Sequence, residues 1–206
     1  MALAPSKGNL LALKRSRSLA LTGFDLMDRK RNILVRELMA LIDQARDLQK
    51  RVDSTFEAAY AALDIALISA GDCEQFAEAV PVDNGLGLRF RSVMGVELPM
   101  ISASSEKSGL LPYGLTETDS RLDAAYVEFR RVKLLLRDLA ETENAIFRLA
   151  YSIRKTQKRA NALENIVIPG LDDSIVKIIG ELEEKEREEF VRQKVIKSQK
   201  IRQGGW

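Results

Sequence analysis

Between Val132 and Val167 the apolar and small residues fall at alternating gaps of three and four, through Leu135, Leu139, Thr142, Ile146, Leu149, Ile153, Thr156, Ala160 and Leu163. The same rhythm runs through Leu34, Leu38, Leu41, Ala45, Leu48 and Val52. Such spacing lays one stripe along a helix and forms the seam of a coiled coil. The predicted fold is mainly α: a long antiparallel two-helix left-handed coiled coil joining the two terminal segments, with a small central insert.

The punctuation residues set the boundaries. No proline interrupts residues 6–70; Ser6 after Pro5 is a natural N-cap, and Gly71 just past the last periodic residue is a natural stop. A helix of that extent is about 100 Å long at ~1.5 Å per residue. Gly8 and Gly23 each weaken it by roughly 1 kcal/mol relative to alanine, although Gly23 also permits close approach of another backbone. Residues 1–71 therefore read as an N-terminal coiled-coil helix and 72–115 as the insert.

In the insert the helical period disappears and turn signals accumulate at Pro81, Asn84-Gly85, Gly95, Pro99 and Pro112. Leu86, Leu88, Phe90 and Met94 alternate with Gly87, Arg89 and Val93, and 96–101 can return as a second strand, which predicts a small β-hairpin with Pro99 at an edge or a strand end. Helix is expected to resume at Thr116, which can cap it, and to run through 116–206 with a kink or short break at Pro169-Gly170. Leu171, Ile175, Ile178 and Leu182 resume the rhythm beyond that point. Antiparallel pairing around the insert makes partner positions sum to about 186 and sets Lys7 near Ile179. The second helix then overhangs the first by roughly 20 residues, ~30 Å of helix, with Val191, Val195 and Ile196 in need of cover from elsewhere.

Composition narrows the chemistry. The chain has 206 residues, 46% hydrophobic but only 6% aromatic, with 30% charged, which suits a long thin core with much solvated surface. The net charge of +2 hides basic ends: Lys7, Lys14, Arg15, Arg17, Arg29, Lys30 and Arg31 at one, Arg192, Lys194, Lys197, Lys200 and Arg202 at the other. There is no histidine, so the commonest metal ligand and the usual general base near neutral pH are both missing. The single cysteine, Cys73, stands between Asp72 and Glu74, whose charges disfavour a thiolate. One cysteine also rules out an intramolecular disulfide and fits a reducing compartment. No catalytic residue, cofactor or metal site is expected. No apolar run approaches the roughly 20 residues of a bilayer span, and the basic start lacks the apolar stretch of a secretion signal, so membrane insertion is not expected.

The acidic run 181–189 includes Lys185 and Arg187 at helical spacing and reads as a solvated helix face rather than paired catalytic carboxylates. Gly85 and Gly87 lack the third glycine and following helix of a phosphate-binding loop. The basic ends have no interleaved aromatic side chains for base stacking, so nucleic acid is not the expected partner. Composition and periodicity fit a free-standing coiled-coil adaptor or holdase-like chaperone equally well.

Three ordered motifs go further. The opening Pro5-Ser6-Lys7, Leu10, Leu13-Lys14, Ala20-x-x-Gly23 and 26–31 LMDRKR, the insert stretch 93–99 VMGVELP, and above all 159–169 RANALENIVIP followed by 181–190 ELEEKEREEF resemble the D subunit of V-type and archaeal A-type rotary ATPases. Asp28, Asn32 and Gly170 depart from the family pattern. The gamma subunit of F-type enzymes is a neighbouring resemblance, but about 45 residues of insert cannot hold its larger α/β domain.

The resemblance implies a non-catalytic central rotor shaft, cytoplasmic and peripheral to the membrane, that couples ATP hydrolysis or synthesis in a ring to rotation of a membrane ion-translocating ring. Implied partners are the catalytic and non-catalytic nucleotide-binding A and B subunits of the ring, the F subunit, and the membrane-side connector called C or d. Lys7, Lys14, Arg15, Val191, Val195, Lys197, Lys200 and Arg202 are the expected ring contacts. Val93, Met94, Gly95, Val96 and Pro99 are the expected contacts with the F subunit or the connector.

Overall fold

The computed structural model describes residues 4–71, 73–82, 85–103, 111–114 and 118–203, the side chains of 103 and 201–203 excepted. The expectations placed on Asp72, Asn84 and the Thr116 cap lie outside the described residues. Helix α1 spans Lys7–Ala70, a short α2 spans Glu74–Glu78, strands β1 and β2 span Leu86–Val93 and Val96–Ala103, and α3 spans Ser120–Ala162. A π-helical turn at Leu163–Val167 leads directly into α4, Ile168–Gln203. Ser6 caps α1 as expected: its hydroxyl accepts from the Asn9 amide at 3.2 Å. The helix stops at Gly71, whose φ of +76° is the left-handed conformation that glycine adopts freely. The five-residue α2 was not anticipated.

The chain divides into two compact units, Asn32–Arg154 and Met1–Arg31 with Lys155–Trp206. In the first, α1 and α3 run antiparallel: Leu34 packs with Ala145 and Leu149, whereas Ala66 packs with Leu122 and Ala125. Leu34 and Leu149 are completely buried. Val52, Ala59 and Val132 are buried between these clusters, and Tyr60 meets the Phe129 ring edge-on at 5.6 Å between centroids. The end near the loops closes over Cys73 and Tyr113, the latter donating a 2.9 Å hydrogen bond to Asp123. Just before α3, the Asp119 carboxylate accepts from the Ser69 hydroxyl at 2.8 Å, the contact that does most to hold its pKa below the ordinary value.

In the second unit the starting turns of α1 face the end of α3 and α4. Arg31 donates to Gln157 at 2.7 Å, Arg17 grips the Asp172 carboxylate through two nitrogens, and Lys7 lies 3.0 Å from Glu186. Gly23 faces Leu163 closely: a Cβ there would sit 3.8 Å from a Leu163 methyl.

The predicted seam is buried or half-buried from Leu34 through Leu38, Leu41, Leu48 and Val52, and from Leu135 through Leu139, Ile146, Leu149, Ile153 and Leu163. Val167 is the exception, 40% exposed. The cause is the π turn, in which the Ile168 amide bonds to the Leu163 carbonyl five residues back. The extra residue rotates Val167 off the seam and turns Ile168 inward instead. Pro169 explains why it sits here: it has no N–H for the Asn165 carbonyl, and its ring would crowd that carbonyl in a regular α turn. The expected break is therefore a widened turn in an unbroken helical run.

Candidate interaction surfaces

The hairpin is built on the Asn32–Arg154 unit. Its strands pair antiparallel from Leu86↔Ala103 to Val93↔Val96. Met94 and Gly95 form a two-residue turn with φ of 50° and 75°, the pair of positive values that matches the twist of the flanking strands. Met94 thus belongs to the turn rather than to the alternating strand. A methionine in that conformation costs about 1 kcal/mol relative to the glycine or asparagine usual there.

Pro99 lies in mid-strand opposite Phe90, not at a strand end. In a two-residue hairpin the pair flanking the turn exchanges hydrogen bonds and the pattern alternates outward, so position 99 falls in a pair whose backbone groups point away from the partner strand. Proline's missing N–H is harmless there.

Packing, hydrogen bonds and an ion pair fasten the hairpin to the helices. Leu98, 2% exposed, enters the Leu34, Ala145 and Leu149 cluster. The Ile101 amide donates to the Glu141 carboxylate at 2.6 Å, and the Arg148 guanidinium donates to the Glu97 carbonyl at 3.1 Å while lying 5.3 Å from the Phe90 ring centroid. Arg91 meets Glu37 of α1 at 3.2 Å. None of Glu37, Glu141 and Arg148 stands out in the sequence, because each is one charged residue among many on a helix face.

The five insert residues expected to meet a partner have different surroundings. Val93 and Val96 are half-buried against the chain's own Leu34 cluster, and Pro99 is buried. Met94, 48% exposed, and Gly95 form the exposed tip. The largest outward apolar side chains are instead Leu86, Leu88 and Phe90 on β1. Their period-two alternation was visible in the sequence, but not which face would be covered.

In the second unit, Lys7 and Lys14 border a shallow groove with Leu10, Leu11, Ile179 and Leu182. This bears out the proximity of Lys7 to Ile179. Arg15, Val191, Val195, Lys197 and Lys200 are exposed, as is every described side chain from 183 to 200; the side chain of Arg202 lies outside the described residues. The acidic run forms exposed i,i+3 and i,i+4 pairs, Glu184 with Arg187 and Glu188 with Arg192. Cys73 is buried, its sulfur 3.7 Å from the Gly71 carbonyl oxygen. Among the described residues no helix is long and apolar enough to cross a membrane.

The sequence family described as the ATP synthase D subunit matches residues 9–198. The V-type ATP synthase D subunit of Thermotoga neapolitana is 43% identical over 204 residues, 98% of this chain and 100% of that protein. The A-type ATP synthase D subunit of Methanosphaera stadtmanae is 34% identical over 197 residues, 94% of this chain and 92% of that protein. That of Pyrococcus abyssi is 34% identical over 200 residues, 95% of this chain and 94% of that protein. With two long helical segments, a central hairpin and that similarity along almost its whole length, the chain belongs to the D-subunit family of V/A-type ATP synthases.

Proposed function

We propose that the chain is the non-catalytic central-stalk rotor subunit of a V/A-type ATPase, linking nucleotide turnover in the ring of A and B subunits to rotation of the membrane ion-translocating ring. The ends of α1 and α4 face the ring in this reading, and the hairpin faces the F subunit or the connector, the C or d subunit. The assembly is peripheral to the membrane on its cytoplasmic side.

The observation that supports the reading most is the state of α4. Beyond the Lys7–Glu186 pair the helix continues to Gln203 with all described side chains exposed to residue 200, among them Phe190, Val191, Val195 and Ile196. An exposed helix mixing large apolar residues with Lys194, Lys197 and Lys200 is suited to a surrounding protein surface. A two-helix shaft also has no threefold symmetry, so it contacts each catalytic interface of a three-sided ring differently. Hydrolysis that changes those contacts biases the shaft angle, and a driven shaft imposes the reverse order of states.

The test is direct observation of rotation. A bead is attached at the hairpin tip of a Cys73→Ser, Met94→Cys chain assembled with the ring subunits. ATP-driven stepwise rotation is expected. Stationary beads on a ring that hydrolyses ATP equally well with and without the chain would overturn the reading.

A further inference from the structure

The two outer edges of the hairpin differ. With Val93↔Val96 next to the turn, the pairs 93/96, 91/98, 89/100 and 87/102 exchange backbone hydrogen bonds, while 92/97, 90/99 and 88/101 turn their backbone groups outward. On β2 that outer row is interrupted at each residue: the Glu97 carbonyl is taken by Arg148, Pro99 has no N–H, and the Ile101 N–H is taken by Glu141, so an added strand would meet two occupied groups and one missing donor there. On β1 the outward N–H and C=O groups of Leu88 and Phe90 have no hydrogen-bond partner among the described residues. Their side chains are 60% and 51% exposed. No proline or bulge interrupts the strand, and a regular open edge beside an apolar face is a template for another strand.

Charge identifies the occupant. The charged residues of β1 are Arg89 and Arg91, with no acid. Arg91 is paired with Glu37, whereas Arg89 has no ion pair among the described residues. In the registers that overlap the two strands most fully, a second copy of this chain laid along the edge sets Arg89 against Arg89 or Arg91, and like charges directly opposite destabilise a sheet.

We propose that β1 is a strand-addition site, which takes an extended segment of a different protein of the complex as the third strand of this sheet. That segment is apolar at alternate positions, beside Leu86, Leu88 and Phe90, and carries a carboxylate opposite Arg89. The inference rests on the reading of the chain as a member of a multi-subunit ATPase, and adds to it the edge and the backbone geometry of one contact.

Hydrogen exchange at single-residue resolution, on the free chain and on the assembled ATPase, tests it. In the free chain the amides of Arg89 and Arg91 exchange slowly and those of Leu88 and Phe90 fast. On assembly the latter two slow at least 100-fold. Leu88→Pro, which removes an outward N–H at a position like that of Pro99, leaves the free chain's melting curve in place and lowers incorporation into the complex at least tenfold. Arg89→Glu lowers incorporation and Arg89→Lys restores it. A chain that assembles while Leu88 and Phe90 still exchange at the free rate overturns strand addition and leaves the rotor reading standing. So does a free chain that dimerises through β1. A chain that joins no complex of nucleotide-binding subunits overturns the rotor reading and this inference with it.

Discussion

The carboxylate of Glu141 on α3 accepts the backbone hydrogen of Ile101 on β2 at 2.6 Å, a side chain standing in for the missing next strand. A part-buried hydrogen bond to a charged acceptor contributes about 1.5–3 kcal/mol. Glu141→Ala is expected to destabilise the hairpin by about 1–2 kcal/mol, part of the loss being offset by alanine's helix propensity. The readout is faster exchange of the Ile101 amide with unchanged helical circular dichroism.

Leu98 is the apolar counterpart of that tie. It is 2% exposed among Leu34, Ala145 and Leu149, so truncation leaves a cavity between strand and helices. Leu98→Ala is expected to cost about 2–4 kcal/mol in denaturant unfolding, against about 0.5 kcal/mol for Leu88→Ala on the exposed strand.

These two residues mark how much of the fold was legible. Periodicity carried the seam, the capping residues carried the first helix's ends, and alternation carried the hairpin, because each is a local pattern imposed by backbone geometry. Val167 was misplaced because a π turn shifts the phase by one residue and leaves no local signature except the proline that follows. Val93 and Val96, expected to meet a partner, are half-buried on the face of Leu98, and one sequence does not say which face of a two-stranded sheet a helix covers; Pro99 is on the Phe90 face and is buried on the strand that is tied to α3. Leu86, Leu88 and Phe90 emerged as the exposed face only once Leu98 was located on the other.

The π turn has a consequence of its own. It accommodates one residue more than a regular helix, and the Arg17–Asp172 pair lies beyond it. Deleting Asn165 together with Pro169→Ala is expected to convert Leu163–Val167 to regular α-helix while the Arg17–Asp172 pair and the melting temperature are kept. Deleting Ser174 instead rotates the buried Ile175 and Ile178 by about 100° relative to the preceding turns and lowers the melting temperature by several degrees.

Tyr113 adds an alkaline pH dependence to stability. Burial, then its hydrogen bond to Asp123, pushes its pKa well above the ordinary value of 10.0. The folded chain therefore keeps the proton where the unfolded chain has lost it, so this group's contribution is intact below about pH 10 and declines as pH rises beyond that. A denaturation midpoint that falls above pH 10 in the native sequence and falls less in Tyr113→Phe is the expected result. Tyr113→Phe itself costs about 1 kcal/mol near neutrality, for the lost hydrogen bond.

The exposed basic end of α4 separates folding from assembly. Lys197 and Lys200 are exposed and have no ion pair among the described residues, so reversing their charge removes no intramolecular contact. Surface substitutions of this kind stay within about 0.5 kcal/mol of the parent stability. If the end meets acidic or polar surface in the ring, Lys197→Glu with Lys200→Glu slows association and weakens coupling of ATP hydrolysis to ion transport. Charge interactions are screened beyond ~3 Å at 1 M salt but reach ~30 Å at 0.01 M, so the gap between variant and parent should be widest in dilute buffer and close as salt is added. Equal affinity and equal coupling at low salt would remove the basic end from the ring interface. A deficit that persists in full at 1 M salt would point to packing by Val191 and Val195 rather than to charge.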